Sequence, residues 1–270
     1  MRMSAASEQG LGTANEDRVR TGDAWALVVD GATAAPGVDT GCRHGVPWLV
    51  DRLAAALAAE LSADGPAPPA DCLAAAIGSV RRAHGGDCDL DNPDSPSATV
   101  ALARPEPAGP GTPPGPRRVE YLVLADCTVL LAETDGEVAA VTDDRVDRLP
   151  GGRPYSAELV RAHRNAEGGF WVAGAVPAAA YRAVTGVSRT AGARFALMTD
   201  GCARLADVFG HPWPQVWRCL ESGGPGALVA RVRTEEERRG VPGGKRHDDA
   251  TAVAGAFDPQ AAAPDVTAGG

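Results

Sequence analysis

Residues 24–31 of the chain read AWALVVDG, an unbroken apolar run that ends in Asp30-Gly31. Residues 193–201, ARFALMTDG, repeat this arrangement near the other end of the chain and end in Asp200-Gly201. A short apolar run bounded by turn residues is typical of a strand buried on both faces. The sequence therefore predicts two interior strands, each with a carboxylate at its C-terminal end.

The segments around these two runs predict an α+β fold rather than a series of βαβ units. Asp135-Gly136 is the signal for a type I′ turn between two paired strands. Pro47 suits the first turn of the earliest predicted helix. The further strands are predicted over residues 97–103, 119–125, 127–132, 138–141, 168–173 and 249–254, and the helices over residues 45–61, 70–83, 157–165, 204–221 and 227–239.

Charge and composition exclude several classes of protein. The 270 residues carry a formal net charge of −9 with basic residues clustered only in pairs, so no nucleic-acid partner is expected. No apolar run approaches the ~18 residues of a membrane span, and no apolar signal segment follows Met1. We therefore expect no membrane partner and a cytoplasmic location. The six cysteines include no CxxC pair, which argues against a zinc ribbon and favours reduced thiols.

The chain length fits one domain, which is expected to span residues 1–257. The Pro/Gly-rich segment 105–116 cannot form a helix or an interior strand, so it is expected to be an exposed loop inside that domain. Residues 258–270 are rich in Ala, Pro and Gly and are expected to form a disordered tail.

Acidic residues recur beside the predicted strands. Glu16-Asp17 follow a polar segment, Asp30 and Asp200 end the two interior strands, and Asp248-Asp249 precede the last strand. Carboxylates at strand ends can converge at the rim of a sheet, where they would repel one another without a cation. Mg²⁺ and Mn²⁺ prefer such oxygen ligands. One Asp-Gly pair alone is more often a turn, so the joint pattern carries the prediction.

Seven short motifs occur in order along the chain: Asn15-Glu16-Asp17, Val28-Val29-Asp30-Gly31, Ser97-Ala98-Thr99-Val100, Ala125-Asp126-Cys127, Val141-Thr142-Asp143-Asp144, Leu197-Met198-Thr199-Asp200-Gly201 and His247-Asp248-Asp249-Ala250-Thr251-Ala252-Val253. This series resembles that of the protein phosphatase 2C family. The resemblance implies a four-layer αββα sandwich, with two central antiparallel sheets flanked by helices and metals at one end. With the abundance of Ala, Gly, Pro and Arg, it indicates a divergent bacterial, actinobacterial, member.

The resemblance also implies two divalent cations, Mg²⁺ or Mn²⁺, bridged by Asp30. Such a pair lowers the pKa of a shared water toward ~7, so no protein nucleophile is needed. One cation is thereby assigned to Asp30, Asp200 and Asp248, and the other to Glu16, Asp30 and the carbonyl of Gly31, with Asp17 acting through water and Asp126 supporting a third, weaker site.

The chain departs from the family at three points. Gly12 stands where the family usually has a phosphate-binding Arg, Arg204 stands where it often has an Asp, and Ala32-Thr33-Ala34 replace a Gly pair or His. Arg204 is hypothesised to bind the substrate phosphate, the alternative being a solvated residue in a helix first turn. His44 is hypothesised to protonate the leaving group, the alternative being a helix-start residue.

The predicted activity is phosphomonoester hydrolysis, with Asp30 and Asp200 as catalytic residues. The resemblance implies phosphoserine or phosphothreonine in a protein as the substrate. A small phosphorylated metabolite is the alternative substrate, which the loss of the Arg at position 12 favours. A non-catalytic, metal-binding regulatory module is the alternative from another class. The sequence indicates no oligomeric state.

Overall fold

The computed structural model describes residues 2–34, 37–63, 65, 67–109, 113–152, 155–242 and 244–258. Its strands are β1 (Arg2–Glu8), β2 (Asp17–Thr21), β3 (Ala26–Ala32), β4 (Ser97–Pro105), β5 (Val119–Leu124), β6 (Thr128–Ala132), β7 (Val138–Thr142), β8 (Val184–Val187), β9 (Arg194–Met198) and β10 (Ala250–Ala256). Its α-helices are α1 (Val46–Ser62), α2 (Pro69–Ala83), α3 (Ala157–His163), α4 (Asp200–Asp207) and α5 (Trp213–Arg239).

The strands described form two antiparallel sheets packed face to face. The first sheet has the order β2-β3-β4-β5-β8, and the second has the order β1-β10-β9-β6-β7. Helices α1 and α2 cover the outer face of the first sheet, and α4 and α5 cover that of the second. The α+β class and the four-layer αββα sandwich are therefore confirmed.

The apolar run that ends at Asp30 is buried on both faces because β3 is interior to both its sheet and the sandwich. Leu27 and Val29 pack against α1 and α2, whereas Ala26 and Val28 pack against the second sheet. All four side chains are fully buried. Strand β9 behaves in the same way, with Leu197 facing the first sheet. Both runs therefore form interior strands, as predicted.

Two predicted elements differ from the structure. Residues 168–173 form no strand and make only isolated bridges, such as Phe170 with Arg164. The predicted helix 204–221 is divided, because α4 ends at Asp207 and α5 begins only after Gly210 and Pro212. Helix α5 is itself interrupted at Gly224, whose φ of 71° is not helical, and this kink matches the break predicted between residues 221 and 227.

The turn between β6 and β7 is also different from the predicted type I′ turn. The Glu133 amide donates to the Glu137 carbonyl (2.9 Å), and the Gly136 amide donates to the Glu133 carbonyl (3.1 Å). Gly136 has a φ of 93°, but Asp135 has no positive φ, which type I′ requires at both central positions. The connection is a three-residue loop with glycine in the left-handed position.

The predicted exposed segment 105–116 starts at the last residue of β4, and its residues 107–109 are exposed. Residues 110–112 and 259–270, the latter nearly all of the predicted tail, lie outside the described residues. No described helix is both long and apolar enough to cross a lipid bilayer.

Candidate metal centre

The pairing of β2 with β3 brings the first two carboxylates together. Asp17 lies opposite Asp30 in this antiparallel register, and Asp30 lies opposite Thr99 of β4 on its other side. The Gly31 amide donates to the Glu16 carbonyl (3.2 Å), which continues the pairing by one residue. Glu16, Asp17 and Asp30 therefore occupy the same end of the first sheet.

Gly31 lies at a point where only a glycine fits. A Cβ atom there would lie 2.2 Å from Cγ1 of Val46, the first residue of α1, and 3.0 Å from Cβ of Glu16. The absence of a side chain allows α1 to pack directly over the end of β3. The close approach leaves the Gly31 backbone beside Glu16, where the sequence predicts a carbonyl ligand.

Asp200 reaches the same place from the second sheet. Strand β9 ends at Met198, Thr199 is the N-cap residue of α4, and Asp200 is the first residue of that helix. The Thr199 hydroxyl donates to Oδ2 of Asp17 (2.8 Å) and thus links the two sheets at this end of the sandwich. Thr199 therefore brings the start of α4, with Asp200, to the end of the first sheet at which Asp17 lies.

Asp249 organises the segment that precedes β10. Its Oδ1 accepts a hydrogen bond from the Gly10 amide (2.7 Å), and its Oδ2 accepts one from the Glu16 amide (2.6 Å). A Cβ at Gly201 would lie 1.9 Å from the Asp249 carbonyl oxygen, so α4 begins against this backbone. Asp249 thus fixes the backbone of Glu16, while its neighbour Asp248 points towards α4.

Burial and mutual repulsion raise the pKa values of these carboxylates. Burial raises the pKa of Asp17 to about 7, although a hydrogen bond from Thr199 opposes the rise. Burial raises the pKa of Asp30 well above its ordinary value, and the charges of Asp200 and Asp17 raise it further. The pKa of Asp200 is raised by burial and by Asp248. Each group therefore resists ionisation next to the others.

The donor set fits a divalent cation of the Mg²⁺ or Mn²⁺ type. Every predicted ligand offers oxygen, which these hard cations prefer. Oδ1 of Asp17 is buried and has no hydrogen-bond partner, so one acceptor of this group lacks compensation. A cation would offset both this unpaired acceptor and the mutual repulsion of the carboxylates.

Asp126 lies on the border of this group. It is half-buried, and its charge contributes to the raised pKa of Asp30. The preceding residue, Ala125, has a positive φ of 63°, and its amide donates to Oδ2 of Asp143 (3.1 Å). This backbone conformation orients the β5–β6 turn at the same end of the sandwich as Asp30.

Arg204 is neither free nor solvated. The residue is only 8% exposed, which contradicts the alternative of a solvated residue. Its guanidinium donates to Glu236 of α5 (3.0 Å), to Asp248 (2.7 Å) and to the Lys245 carbonyl (3.1 Å). These contacts support a role in holding Asp248 and do not favour direct binding of a phosphate.

His44 contacts a different set of residues. Its ring stacks on Trp48 with centroids 4.0 Å apart, and its Nδ1 lies 3.6 Å from Sγ of Cys42 and 3.4 Å from Sγ of Cys88. None of its described contacts is with the acidic group. The hypothesis that His44 is a general acid gains no support from this position.

Several residues of the centre carry no assigned role in the sequence-based prediction. Thr199 and Asp249 belong to quoted motifs, so their positions were detectable but their hydrogen bonds were not. Lys245, in the polar segment 244–247, places its Nζ 3.1 Å from Oδ1 of Asp248. Burial lowers the pKa of Lys245, but the charges of Asp248, Glu16 and Asp200 outweigh that effect and raise it.

Solved phosphatase structures share this fold over nearly the whole chain. The catalytic domain of the serine/threonine protein phosphatase PstP, solved with two manganese ions, is 19% identical with a TM-score of 0.58, over 94% of this chain and 96% of that chain. The Mycobacterium tuberculosis serine/threonine phosphatase PstP/Ppp is 19% identical with a TM-score of 0.59, over 95% of this chain and 98% of that chain. The S. agalactiae serine/threonine phosphatase is 13% identical with a TM-score of 0.58, over 94% of this chain and 98% of that chain. A comparison with curated protein sequences gave no match.

The family model described as protein phosphatase 2C matches residues 6–232. This span contains Glu16, Asp17, Asp30 and Asp200, whereas Asp248 lies beyond its end. The expected enzyme class, a phosphatase, and its expected cofactor, Mg²⁺ or Mn²⁺, agree with this match and with the manganese complex of PstP. The chain belongs to the protein phosphatase 2C family.

Proposed function

We propose that this chain hydrolyses phosphoserine and phosphothreonine in cytoplasmic bacterial proteins. The observation that supports this most is the convergence of carboxylates from both sheets with an unpaired buried acceptor, Oδ1 of Asp17. The similarity of the fold to solved serine/threonine phosphatases supports the choice of substrate class.

The proposed centre holds two divalent cations. When bound, they would lower the pKa of water and neutralise charge on the phosphoryl oxygens. Their proposed ligands are Asp30, Asp200 and Asp248 for one cation and Glu16, Asp30 and the carbonyl of Gly31 for the other, with Asp17 acting through water and Asp126 supporting a third, weaker site.

Three neighbouring residues position these ligands. Thr199 donates to one oxygen of Asp17 and leaves the other without a hydrogen-bond partner. Asp249 holds the Glu16 amide, and Arg204 holds one oxygen of Asp248. Because an ordered ligand loses less conformational freedom on binding, this support favours a preformed centre.

The phosphate itself requires a cationic partner, since Gly12 supplies none and Arg204 is engaged. Lys245 is suited to this role, because its side chain is 65% exposed and its ammonium group is 3.1 Å from Asp248 at the edge of the centre. A lysine on a flexible stem can turn towards a phosphoryl oxygen as a point charge. Lys245 is proposed to replace the Arg that the family usually has.

The activity is tested with a generic aryl phosphate and Mn²⁺. We expect turnover by the wild type and a loss on the order of 10²-fold or more in Asp200→Asn, because a direct ligand is weakened. Asp23→Asn is the matched control, since Asp23 is exposed in the β2–β3 turn at the opposite end of β3. Hydrolysis no faster than the blank would instead support the non-catalytic regulatory module.

A second experiment separates the substrate classes. Gly12 is exposed and brings no charge to the substrate, which favours the alternative of a small phosphorylated metabolite. Phosphoserine and phosphothreonine peptides are compared with a panel of phosphorylated metabolites at equal concentration. The protein-phosphatase proposal requires kcat/KM to be higher for the peptides, and a metabolite that exceeds all of them would replace it.

A further inference from the structure

A second group of metal-binding side chains lies outside the acidic centre. Cys42 and His44 belong to the segment that precedes α1, His84 caps the C-terminus of α2, and Cys88 follows four residues later. One ligand atom from each of these four residues lies within 4.8 Å of the others. Two sulfur and two nitrogen ligand atoms are therefore close enough together to hold one metal ion.

Three sulfur–nitrogen separations in this group match the edges of a coordination tetrahedron. With Zn–S near 2.3 Å and Zn–N near 2.0–2.1 Å, tetrahedral geometry places sulfur and nitrogen about 3.5–3.6 Å apart. Sγ of Cys42 lies 3.6 Å from Nδ1 of His44 and 3.4 Å from Nδ1 of His84, and Sγ of Cys88 lies 3.4 Å from Nδ1 of His44. The three Nδ1 contacts therefore require little movement.

The two thiols are reduced rather than bridged. Their sulfur atoms are 3.2 Å apart, well beyond the ~2.05 Å of a disulfide and somewhat inside the ~3.8 Å edge of a tetrahedral Zn–S₂ pair. The His44 amide also donates to Sγ of Cys42 (3.3 Å), a hydrogen bond that stabilises a thiolate.

Packing around the four ligands holds them in place. Trp48 stacks on His44 and meets the edge of His84 with centroids 4.6 Å apart, and His84 is only 2% exposed. The backbones of the two ligand segments are joined, since the Asp89 amide donates to the Gly41 carbonyl (2.8 Å). The side chains of Arg43 and Asp87 pair at 2.8 Å on the surface above. The site is therefore built by two segments.

We propose that Cys42, His44, His84 and Cys88 bind one Zn²⁺ in a closed tetrahedral site. Two thiolates and two imidazoles are a ligand set that selects zinc, whereas Mg²⁺ and Mn²⁺ prefer the oxygens of the acidic centre. Four protein ligands leave no open position for a substrate, so the site is structural. It joins the segment between Gly31 and α1 to the end of α2. This inference is independent of the proposed function.

The metal content of the full-length chain, purified with reductant and freed of loosely held cations, tests this site. We expect about one zinc per chain in the wild type and under about a tenth of that in Cys42→Ser, because three ligands bind zinc far more weakly than four. Cys88→His, which keeps a zinc ligand, should retain the metal. The matched control is Cys219→Ser, whose thiol lies on α5 and outside the group.

Cobalt substitution of the wild type provides a readout that does not depend on whether the cysteine variants fold. The wild type loaded with Co²⁺ should show the near-ultraviolet thiolate-to-cobalt charge-transfer band, and Asp200→Asn should show it unchanged, since carboxylates produce no such band. Wild-type protein that lacks both zinc and this band, or that forms a Cys42–Cys88 disulfide in its place, would overturn the proposal. Equal zinc in wild type and Cys42→Ser would do the same.

Discussion

Asp17 carries the clearest local conflict in the molecule. It is 2% exposed, one of its oxygens accepts a hydrogen bond from Thr199, and the other has no partner. A buried carboxylate without full compensation is costly, because its charged form loses hydration that nothing replaces. Asp17 lies where β2, β3 and α4 meet. Its cost at this position supports a functional rather than a structural role for the residue.

The raised pKa of Asp17 predicts how the free energy of unfolding depends on pH when cations are chelated. The Asp17 carboxyl has a pKa of about 7 in the folded chain and about 3.9 when unfolded, so the folded state binds more protons between these values. The free energy of unfolding should therefore rise as the pH falls from about 8 to about 6. Asp17→Asn should flatten this rise and stabilise the chelated protein at pH 8 by on the order of 1–3 kcal/mol.

Urea unfolding with a chelator at several pH values measures the effect. Asp30 and Asp200 contribute in the same direction, so part of the slope should remain in Asp17→Asn. Asp23→Asn, an exposed carboxylate in a turn, should keep the wild-type slope. A slope that is the same in Asp17→Asn and the wild type would show that this carboxyl is not the group that titrates.

Lys245 is expected to affect substrate binding rather than folding. Lys245→Ala should lower kcat/KM for an aryl phosphate by about tenfold, the value of one charge-assisted contact, and Lys245→Arg should recover most of it. Arg246→Ala is the matched control, because Arg246 is the neighbouring exposed cation and pairs with Glu237 instead. Similar losses in Lys245→Ala and Arg246→Ala would indicate only a general effect of positive charge. Steady-state kinetics with saturating Mn²⁺ distinguish these results.

At the scale of elements, a buried ion network joins α4, α5 and the segment before β10. Glu236 of α5 is fully buried and accepts from Arg204 (3.0 Å), Arg233 (2.9 Å) and His247 (2.7 Å). Arg204 then reaches Asp248 at the metal centre. Because α5 and Asp248 share this arginine, the packing of the outer helices is coupled to the position of a metal ligand.

Arg204→Ala should therefore reduce the free energy of unfolding by about 2–4 kcal/mol, since it removes one partner from a buried carboxylate and leaves Asp248 less restrained. The control is Arg148→Ala, which removes the 70% exposed partner of the 47% exposed Asp144 and should cost under about 1 kcal/mol. Denaturant unfolding measures both changes. Losses of equal size would argue that the network does not differ from a surface ion pair.

The elements differ in how far the sequence alone predicts them. Strands β3 and β9 are buried on both faces, so their apolar runs identify them directly. The unpredicted strands β1, β2 and β8 are all edge strands, and their polar or small residues face solvent on one side, which removes the apolar signal. The break at Gly210 and Pro212 was visible as composition but could equally have been a kink within one helix.

The acidic centre was predictable and the Cys/His group was not, for a physical reason. Asp30 and Asp200 are placed by local strand ends, so their convergence follows once the two sheets are paired. Cys42 and Cys88 meet only because α1 and α2 pack side by side, a contact that no local spacing encodes. The burial of Arg204 likewise depends on Glu236, which lies on another helix.

For the whole molecule, the proposed metal centre lies between the two halves of the sandwich. Asp17 and Asp30 come from the first sheet, whereas Asp200 follows β9 and Asp248 precedes β10, two interior strands of the second sheet. Cations bound between them would connect the sheets by ligands at one end of the sandwich, where the Thr199–Asp17 hydrogen bond already crosses. Binding at such a position must stabilise the complete fold, because unfolding either sheet disperses the ligands.

Mn²⁺ should accordingly raise the free energy of unfolding of the wild type, by about 2.7 kcal/mol when its free concentration is 100-fold above its Kd. Asp30→Asn should abolish most of the gain, because Asp30 is the proposed bridging ligand, whereas Asp23→Asn should retain it. The reference is protein without added Mn²⁺, and no strong chelator is used, so that the proposed zinc group keeps its metal. Stabilisation of equal size in Asp30→Asn would place the cation elsewhere. A site that spans both sheets cannot lose the carboxylate that both of its ions share and still raise the free energy of unfolding by the same amount.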